Sequence, residues 1–243
     1  MKEILMIKRI YILLALSLST VSVATIPSQK KDVIFLWDLH HVLLKPKGRI
    51  RALKHYPHKK KALRNTNLRR KFLKYSLVSR FKEVSSEKFL ELGDRYNNPY
   101  FKEMILTASL AQEPMEKTVD ILEELKEKGY THHVGSNMGI TTFNTITDAQ
   151  KYPQFVPLFK NFDLDKSHVV TRKTDQFKKP NPKYFEHYLE KNNLDPETTR
   201  IIFIDDRRKN IQAANSVGLE GVRFKNATQL RRDLADMGID ISR

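Results

Sequence analysis

The feature that most constrains the fold is a pair of uninterrupted apolar runs that each end in aspartate. Residues 33–37 read Val-Ile-Phe-Leu-Trp and precede Asp38, and residues 201–204 read Ile-Ile-Phe-Ile and precede Asp205 and Asp206. Short runs that are apolar at every position are typical of strands buried on both faces of a parallel sheet. We therefore expect two central strands whose carboxyl ends carry carboxylates.

Helical and strand patterns alternate around these two runs. The clearest helix covers residues 115–128, where apolar residues recur along one face and Gly129 stops the pattern. A strand follows at residues 131–135, and a helix introduced by Pro182 and a short strand at residues 221–224 continue the alternation. This order predicts an α/β fold, a Rossmann-like parallel sheet with helices on both faces.

Three of the predicted strands end in polar side chains. The first ends at Asp38, the second at Ser136 and Asn137, and the third at Asp205 and Asp206. Parallel strands present their carboxyl ends at one edge of the sheet, and ligands of such sheets bind outside that edge. The sequence therefore predicts a functional site there, built from a hydroxyl, an amide and several carboxylates.

Four segments resemble, in the same order, the signatures of the haloacid dehalogenase-like hydrolases. Residues 37–43 read Trp-Asp-Leu-His-His-Val-Leu, against the family's Asp-x-Asp-Gly-Thr/Val-Leu. The other three segments read Val-Gly-Ser-Asn at 134–137, Lys-Pro-Asn-Pro at 179–182 and Ile-Phe-Ile-Asp-Asp at 202–206. Each segment alone is a weak signal, and four of them in the right order are a strong one.

This resemblance implies phosphoryl-transfer chemistry at the predicted edge. Asp38 stands where the family places its nucleophile, which splits phosphate-ester hydrolysis into formation and breakdown of an aspartyl-phosphate. Two anions must then approach each other, so the resemblance also implies Mg²⁺ as a cofactor. The implied ligands are Asp38, the backbone carbonyl of His40, and Asp206, together with Asp205 directly or through water.

Three further residues are implied as contacts of the substrate. Ser136 would hydrogen-bond a phosphoryl oxygen, with Asn137 beside it. Lys179 would neutralise charge on the transferring group and on Asp38. Together these residues predict a magnesium-dependent phosphatase-type hydrolase that acts on a phosphorylated small molecule.

One departure from the family pattern leaves three alternatives open. The family's second aspartate, which protonates the leaving oxygen and then activates water, is His40 here, and the glycine after it is His41. His40 could replace that acid/base, because an unperturbed imidazole has a pKa near ~6.5. Alternatively, His40 is inert and the chain is a catalytically impaired relative that binds an anionic partner. The third alternative is another reaction such as dehalogenation, against which the intact Asp205-Asp206 pair argues.

The net charge of +16 belongs almost wholly to one segment. Between Leu39 and Lys82 the chain has fifteen Lys or Arg residues and no Asp or Glu. These basic residues fall within residues 45–112, where the resemblance implies a helical cap inserted between the core segments 31–44 and 113–243. A basic cap predicts recognition of a polyanion, such as a multiply phosphorylated small molecule, an anionic polymer or a lipid surface, or else a merely solvated face.

The first 24 residues have the pattern of a secretory signal. Lys8 and Arg9 precede an apolar stretch at residues 10–23, and the segment ends in the small-residue triplet Ser-Val-Ala. Cleavage after Ala24 predicts a secreted or periplasmic protein, and the alternative is an uncleaved N-terminal membrane anchor. The chain contains no cysteine, so thiol catalysis and cysteine-ligated zinc are excluded.

Overall fold

A computed structural model of the protein describes residues 32–78 and 84–242. The predicted signal peptide, residues 1–24, lies outside these residues and stays a prediction. Within the described part of the chain, no helix is both long enough and apolar enough to cross a bilayer.

Seven strands occur in the described residues: β1 (Val33–Trp37), β2 (Leu44–Pro46), β3 (Gln112–Pro114), β4 (Thr131–Gly139), β5 (His168–Val170), β6 (Arg200–Asp205) and β7 (Glu220–Arg223). Five of them form one parallel sheet in the order β5-β4-β1-β6-β7, and β2 pairs with β3 in an antiparallel ribbon. Trp37 at the end of β1 lies between Val134 of β4 and Ile204 of β6. Asp38 therefore emerges at the centre of the sheet's carboxyl edge.

The described residues also contain eleven α-helices: α1 (Arg49–Lys54), α2 (Lys59–Ala62), α3 (Thr66–Val78), α4 (Ser86–Arg95), α5 (Pro99–Leu110), α6 (Glu116–Glu127), α7 (Ile140–Ile146), α8 (Val156–Phe159), α9 (Pro182–Asn192), α10 (Arg208–Asn215) and α11 (Ala227–Asp236). Short 3₁₀ turns cover Pro153–Phe155 and Asp175–Phe177. Helices α1 to α5 lie between β2 and β3, so all five fall inside the predicted insertion.

Hydrophobic clusters cover both faces of the sheet. Along β1 the side chains alternate, with Phe35 and Trp37 in one cluster and Ile34 and Leu36 in the other. The first cluster includes apolar residues of α6 and α11, and the second includes those of α9 and α10. Burying one such large side chain contributes about 1.5–3 kcal/mol to folding. The predicted parallel sheet with helices on both faces is confirmed.

Residues 45–112, which we call the insertion, have a hydrophobic cluster of their own. It contains Leu68, Leu90, Phe101 and Met104, and other half-buried aromatic residues pack around it. The antiparallel pair β2–β3 brings the two ends of the insertion together. That the insertion is a separate cap domain with these boundaries stays a prediction.

Some elements were not expected from the sequence. Strand β5 has only three residues and begins with a histidine, and the β2–β3 pair contains prolines and charged residues. The strand expected at residues 131–135 continues to Gly139, so Ser136 and Asn137 lie inside β4 and not after it.

Candidate active site

Three carboxylates meet at the carboxyl edge of the sheet. Asp38, Asp205 and Asp206 each offer one oxygen atom, and these atoms lie within 4.8 Å of one another. The backbone explains the meeting, because the N–H of Asp38 donates to the carbonyl oxygen of Ile204 at 2.9 Å and so ties the ends of β1 and β6 together. Asp38 and Asp205 are buried, and Asp206 is half-buried.

Asp205 is held from several sides. Its Oδ1 accepts from the backbone N–H of Arg207 at 2.8 Å, and the Asn210 side-chain amide lies 3.0 and 2.9 Å from its two oxygens. Its Oδ2 also accepts from Lys179 at 2.7 Å. Burial raises the pKa of Asp205, and the charge of Asp38 adds to that effect against the opposing charge of Lys179. Both oxygens are therefore already engaged, which suits Asp205 to orienting its neighbours.

Asp206 lines the cavity, and fewer contacts offset its negative charge than offset that of Asp205. Burial raises the pKa of Asp206 to about 6, and repulsion from Asp205 and Asp38 contributes to the same shift. Carboxylates crowded in this way disfavour their own ionisation unless a cation compensates for the charge. The cluster thus has the charge and the oxygen donors of a site for a hard divalent cation.

Lys179 is a buried charge that connects two of these carboxylates. Its ammonium group donates to the carbonyl oxygen of Gly135 and to Asp205 Oδ2, both at 2.7 Å, and lies 3.1 Å from Asp38 Oδ1. Asn137 holds the backbone of Lys179, because its side-chain oxygen accepts from the Lys179 N–H at 2.9 Å and its amide donates to the Lys179 carbonyl at 3.0 Å. The amide of Asn137, predicted to contact substrate, is thus engaged in positioning Lys179.

Ser136 is fully buried in β4. Its hydroxyl oxygen accepts from the N–H of Met138 at 3.3 Å, and its carbonyl accepts from the Tyr184 hydroxyl at 3.2 Å. The cavity above the sheet edge is lined by Asp38, His40, Asn137 and Asp206, and Ser136, Asp205 and Lys179 lie behind that surface. The structure therefore gathers all the predicted site residues into two layers.

Both histidines of the first signature line the cavity. His40 is half-buried, and its backbone forms an isolated β-bridge with that of Leu44. His41 is exposed, has a φ of 62° and donates its N–H to the Leu44 carbonyl at 2.7 Å. A positive φ favours glycine, which the family carries at this position, and a side chain there costs about 1 kcal/mol. Both residues therefore form part of the surface that a ligand in the cavity would contact.

The cavity has a volume of about 640 Å³ and two different walls. The core wall carries two carboxylates, the two histidines and Arg207. The wall from the insertion is formed mainly by apolar and hydroxyl side chains with one arginine, Arg49. Sequence reasoning missed Arg49, because nothing local distinguishes it from the other basic residues of the segment. It also missed the lining residues Leu53, Ile105 and Ser109, whose pattern fits ordinary helix packing.

Helix α4 holds the insertion against the core beside the cavity. Glu87 Oε1 accepts from the N–H of Thr141 at 2.7 Å, and the Thr142 hydroxyl donates to the Ser86 hydroxyl at 2.8 Å. A Cβ atom on Gly139 would lie 2.6 Å from Ser86 Oγ and 2.7 Å from Glu87 Cγ, so glycine permits this close approach. The Ser85 hydroxyl also donates to Asp175 Oδ1 at 2.5 Å.

The fold and the site together define an α/β protein with a carboxylate and lysine cluster at the carboxyl edge of a parallel sheet. The chain belongs to the haloacid dehalogenase-like hydrolases, because the model of that family matches residues 34–218. The resemblance seen in the sequence is thereby confirmed.

Proteins similar to this chain include a curated hydrolase and solved structures of haloacid dehalogenase-like (HAD) proteins. The chloroplast flavin mononucleotide hydrolase 1 of Arabidopsis thaliana is 42% identical over 65 residues, which are 27% of this chain and only 26% of that relative. A HAD phosphatase from Thermococcus onnurineus aligns with a TM-score of 0.57 at 19% identity, covering 87% of this chain and 100% of that one.

A HAD family enzyme from Bacteroides thetaiotaomicron, in complex with magnesium and inorganic phosphate, aligns with a TM-score of 0.51. Its identity is 19%, and the alignment covers 80% of this chain and 94% of that one. At these identities the two structures show a shared fold.

Proposed function

We propose that the protein is a magnesium-dependent phosphatase that acts through an aspartyl-phosphate on a phosphorylated small molecule. The observation that carries the proposal is the cluster of Asp38, Asp205 and Asp206, whose ligand atoms lie within 4.8 Å of one another. Asp38 and Asp206 line the cavity, and Asp205 lies directly behind them. A hydrolase of flavin mononucleotide, a HAD phosphatase and an enzyme complex with magnesium and phosphate among the similar proteins support the proposal.

The donor set fits Mg²⁺ by its chemistry. The cluster offers only carboxylate oxygens, which hard cations prefer. Burial and neighbouring negative charge raise the pKa values of Asp205 and Asp206, so a bound cation would stabilise their ionised forms. Asp38 and Asp206, with the carbonyl of His40, would hold the ion, and Asp205 would support them from behind. The bound ion would offset the negative charge of the carboxylates and of a phosphoryl group.

In the first half-reaction a carboxylate oxygen of Asp38 forms a bond to phosphorus while the bond between phosphorus and the leaving oxygen breaks. Lys179 keeps positive charge 3.1 Å from Asp38 Oδ1, which stabilises the ionised nucleophile. In the second half-reaction water attacks the phosphorus, releasing inorganic phosphate and regenerating Asp38.

Proton transfer is assigned to His40. The leaving oxygen needs a proton in the first half-reaction and the attacking water must lose one in the second, so one group can serve in both. His40 lines the cavity with Asp38 and is two residues away along the same turn. His41, which lines the same cavity, is the second choice.

The function is tested by measuring hydrolysis of p-nitrophenyl phosphate and of flavin mononucleotide by residues 25–243 with and without Mg²⁺. We expect turnover that requires the ion and is abolished by Asp38→Asn. Asp120→Asn, which changes an exposed carboxylate on α6, is the control and should retain activity. A folded parent protein without magnesium-dependent turnover of any phosphoester in a broad panel would contradict the proposal.

The second candidate function is binding without catalysis. It is favoured by one observation, that a histidine occupies the family's acid/base position while Lys59, Lys60 and Lys61 of the insertion are exposed. In this alternative the chain is a catalytically impaired relative whose insertion binds an anionic polymer or lipid surface. Dehalogenation is disfavoured, because the acidic cluster matches a metal site that such chemistry does not need.

A further inference from the structure

The insertion contributes one charged side chain to the cavity. Among the described insertion residues that line it, Arg49 alone is charged, and its neighbours in the wall include Leu53, Phe72, Phe89 and Ile105. Leu53 lies one turn after Arg49 on the same helix, and the rings of Phe72 and Phe89 pack edge to face at 5.9 Å. The wall therefore combines an apolar surface with a single cation.

Arg49 has no acidic partner in the described part of the chain. The segment around it contains no Asp or Glu between residues 39 and 82. Lys45 and Lys47, which lie close to it in sequence, both pair with Glu113, at 3.2 and 2.5 Å. Arg49 forms neither an ion pair nor a side-chain hydrogen bond with another described residue, so no described side chain compensates its charge.

The acidic side chains of the insertion that the structure describes contact residues other than Arg49. Glu87 accepts from Thr141, and Glu91 pairs with Lys88 and Arg95.

Asp94 pairs with Lys102 and Arg172, and Glu103 accepts from the Tyr56 hydroxyl at 2.6 Å. These are all the acidic residues of the insertion that the structure describes. None of them is directed to Arg49.

The surroundings of the Arg49 guanidinium also reduce its hydration. Although much of the residue is open to solvent, loss of water around the guanidinium lowers its pKa. An arginine remains protonated after such a shift, because its pKa starts far above neutrality. A cation at a cavity wall that is partly dehydrated and has no acidic partner among the described residues can pair with an anion on a ligand.

We propose that Arg49 binds a second anionic group on the leaving group of the substrate. This inference rests on the proposed phosphatase function, in which Lys179 and the metal site of the core already receive the transferring phosphoryl group. The substrate class is thus a phosphomonoester whose leaving group has an apolar or aromatic body and a carboxylate or second phosphate. A cavity of about 640 Å³ accommodates a small organic molecule of this kind.

The test uses non-hydrolysable ligands, so that it does not depend on turnover. Binding of phenylphosphonate and of 3- and 4-carboxyphenylphosphonate is measured by titration calorimetry with Mg²⁺ present. The proteins are the parent, Arg49→Met and the control Arg51→Met, which removes a charge from the same helix at an exposed position outside the cavity wall. Denaturant unfolding of each variant checks that it is folded.

We expect the parent to bind the better carboxylated ligand about 10- to 100-fold more tightly than phenylphosphonate, as a charge-assisted contact predicts. Arg49→Met should lose that preference, and Arg51→Met should keep it. Equal affinities in the parent, an unchanged preference in Arg49→Met, or no binding of any ligand would overturn the proposal. Equal weakening of all three ligands by Arg49→Met would also overturn it, since the guanidinium would then contact the phosphonate. A parent protein that prefers the carboxylated ligand but shows no magnesium-dependent turnover of phosphoesters would instead count against the phosphatase function.

Discussion

His40 is the residue on which the proposed proton transfer depends. It is half-buried in the wall of the cavity, beside the turn that carries Asp38. General acid/base catalysis contributes about 10²–10⁴-fold, so we expect His40→Ala to lower kcat by a factor in that range. His40→Asp restores the family's side chain and should equal or exceed the parent. The measurement is kcat for an aryl phosphate with Mg²⁺, with the exposed His55→Ala as control.

Two results would change this account. If His40→Ala is as active as the parent, the proton is carried by another group, and His41 is the first to replace. If the parent is inactive and His40→Asp gains magnesium-dependent turnover, the chain is an impaired relative whose work is binding.

Individual site residues differed in how far the sequence could predict them. Asp38, Asp205 and Asp206 could be found because each follows a run of apolar residues, and strand ends meet at one edge of a parallel sheet. The use of Asn137 to hold Lys179 could not be found, because residues 137 and 179 are joined only by the folded backbone. Arg49 was hidden among fifteen basic residues that are alike in sequence.

The same division holds for the elements. Strands β1 and β6 were predictable from their apolar runs, and α6 from its amphipathic stripe. Strand β5 was not, since three residues at the edge of a sheet are stabilised by their pairing with β4 and leave no pattern of their own. Helix α7 has many β-branched residues, which have low helix propensity, and it depends on contacts such as that of Thr141 with Glu87.

Substitutions in helix α2 can test whether the basic insertion has an anionic partner. Lys59, Lys60 and Lys61 of α2 are exposed, and each lysine near an anionic membrane contributes about 1 kcal/mol to binding. If the insertion binds such a surface, changing all three to Glu should weaken binding to vesicles that contain phosphatidylserine by at least about tenfold. It should also flatten the salt dependence.

The control for this prediction changes the same charge elsewhere. Lys117, Lys126 and Lys173 are exposed outside the insertion, and replacing them with Glu alters the net charge equally. Identical binding curves for the parent and the α2 variant would show that these lysines form a solvated face.

At the scale of the whole molecule, buried histidines predict sensitivity to acid. Burial lowers the pKa of His132 to about 3 and the pKa values of His133 and His168 to about 4. In the unfolded chain these histidines take up protons near pH ~6.5. Their contribution to the free energy of unfolding is therefore present above that pH and is lost as the pH falls towards 4. Asp206 acts in the opposite sense, because its raised pKa lets the folded state take up a proton near pH 6.

Burial also raises the pKa of Asp205, which acts in the same sense as Asp206. We expect the three histidines to outweigh these two carboxylates. We expect the free energy of unfolding to fall by a few kcal/mol, on the order of 2–5, between pH 7 and pH 5. Urea denaturation across this range measures it. The interpretation would be wrong if stability stayed constant or rose as the pH fell.

The family of the whole chain could be predicted because its signatures are local in sequence. The shape of the cavity could not, because its lining comes from the turn after the first strand, four parts of the insertion and two further strand ends. The proposed substrate recognition therefore depends on residues such as Arg49 and Phe89, which only the fold brings into the same cavity as Asp38 and Asp206.

The proposed phosphatase reaction requires that Asp38 becomes phosphorylated during turnover. The most direct measurement is mass spectrometry of the protein quenched in acid during turnover of an aryl phosphate with Mg²⁺, followed by borohydride reduction. We expect one phosphoryl group on the peptide that contains Asp38, and we expect borohydride to convert the phosphorylated Asp38 to homoserine. We also expect that omission of Mg²⁺ abolishes the adduct. Continued turnover with no adduct on Asp38, or an adduct on another residue, would contradict the proposed reaction.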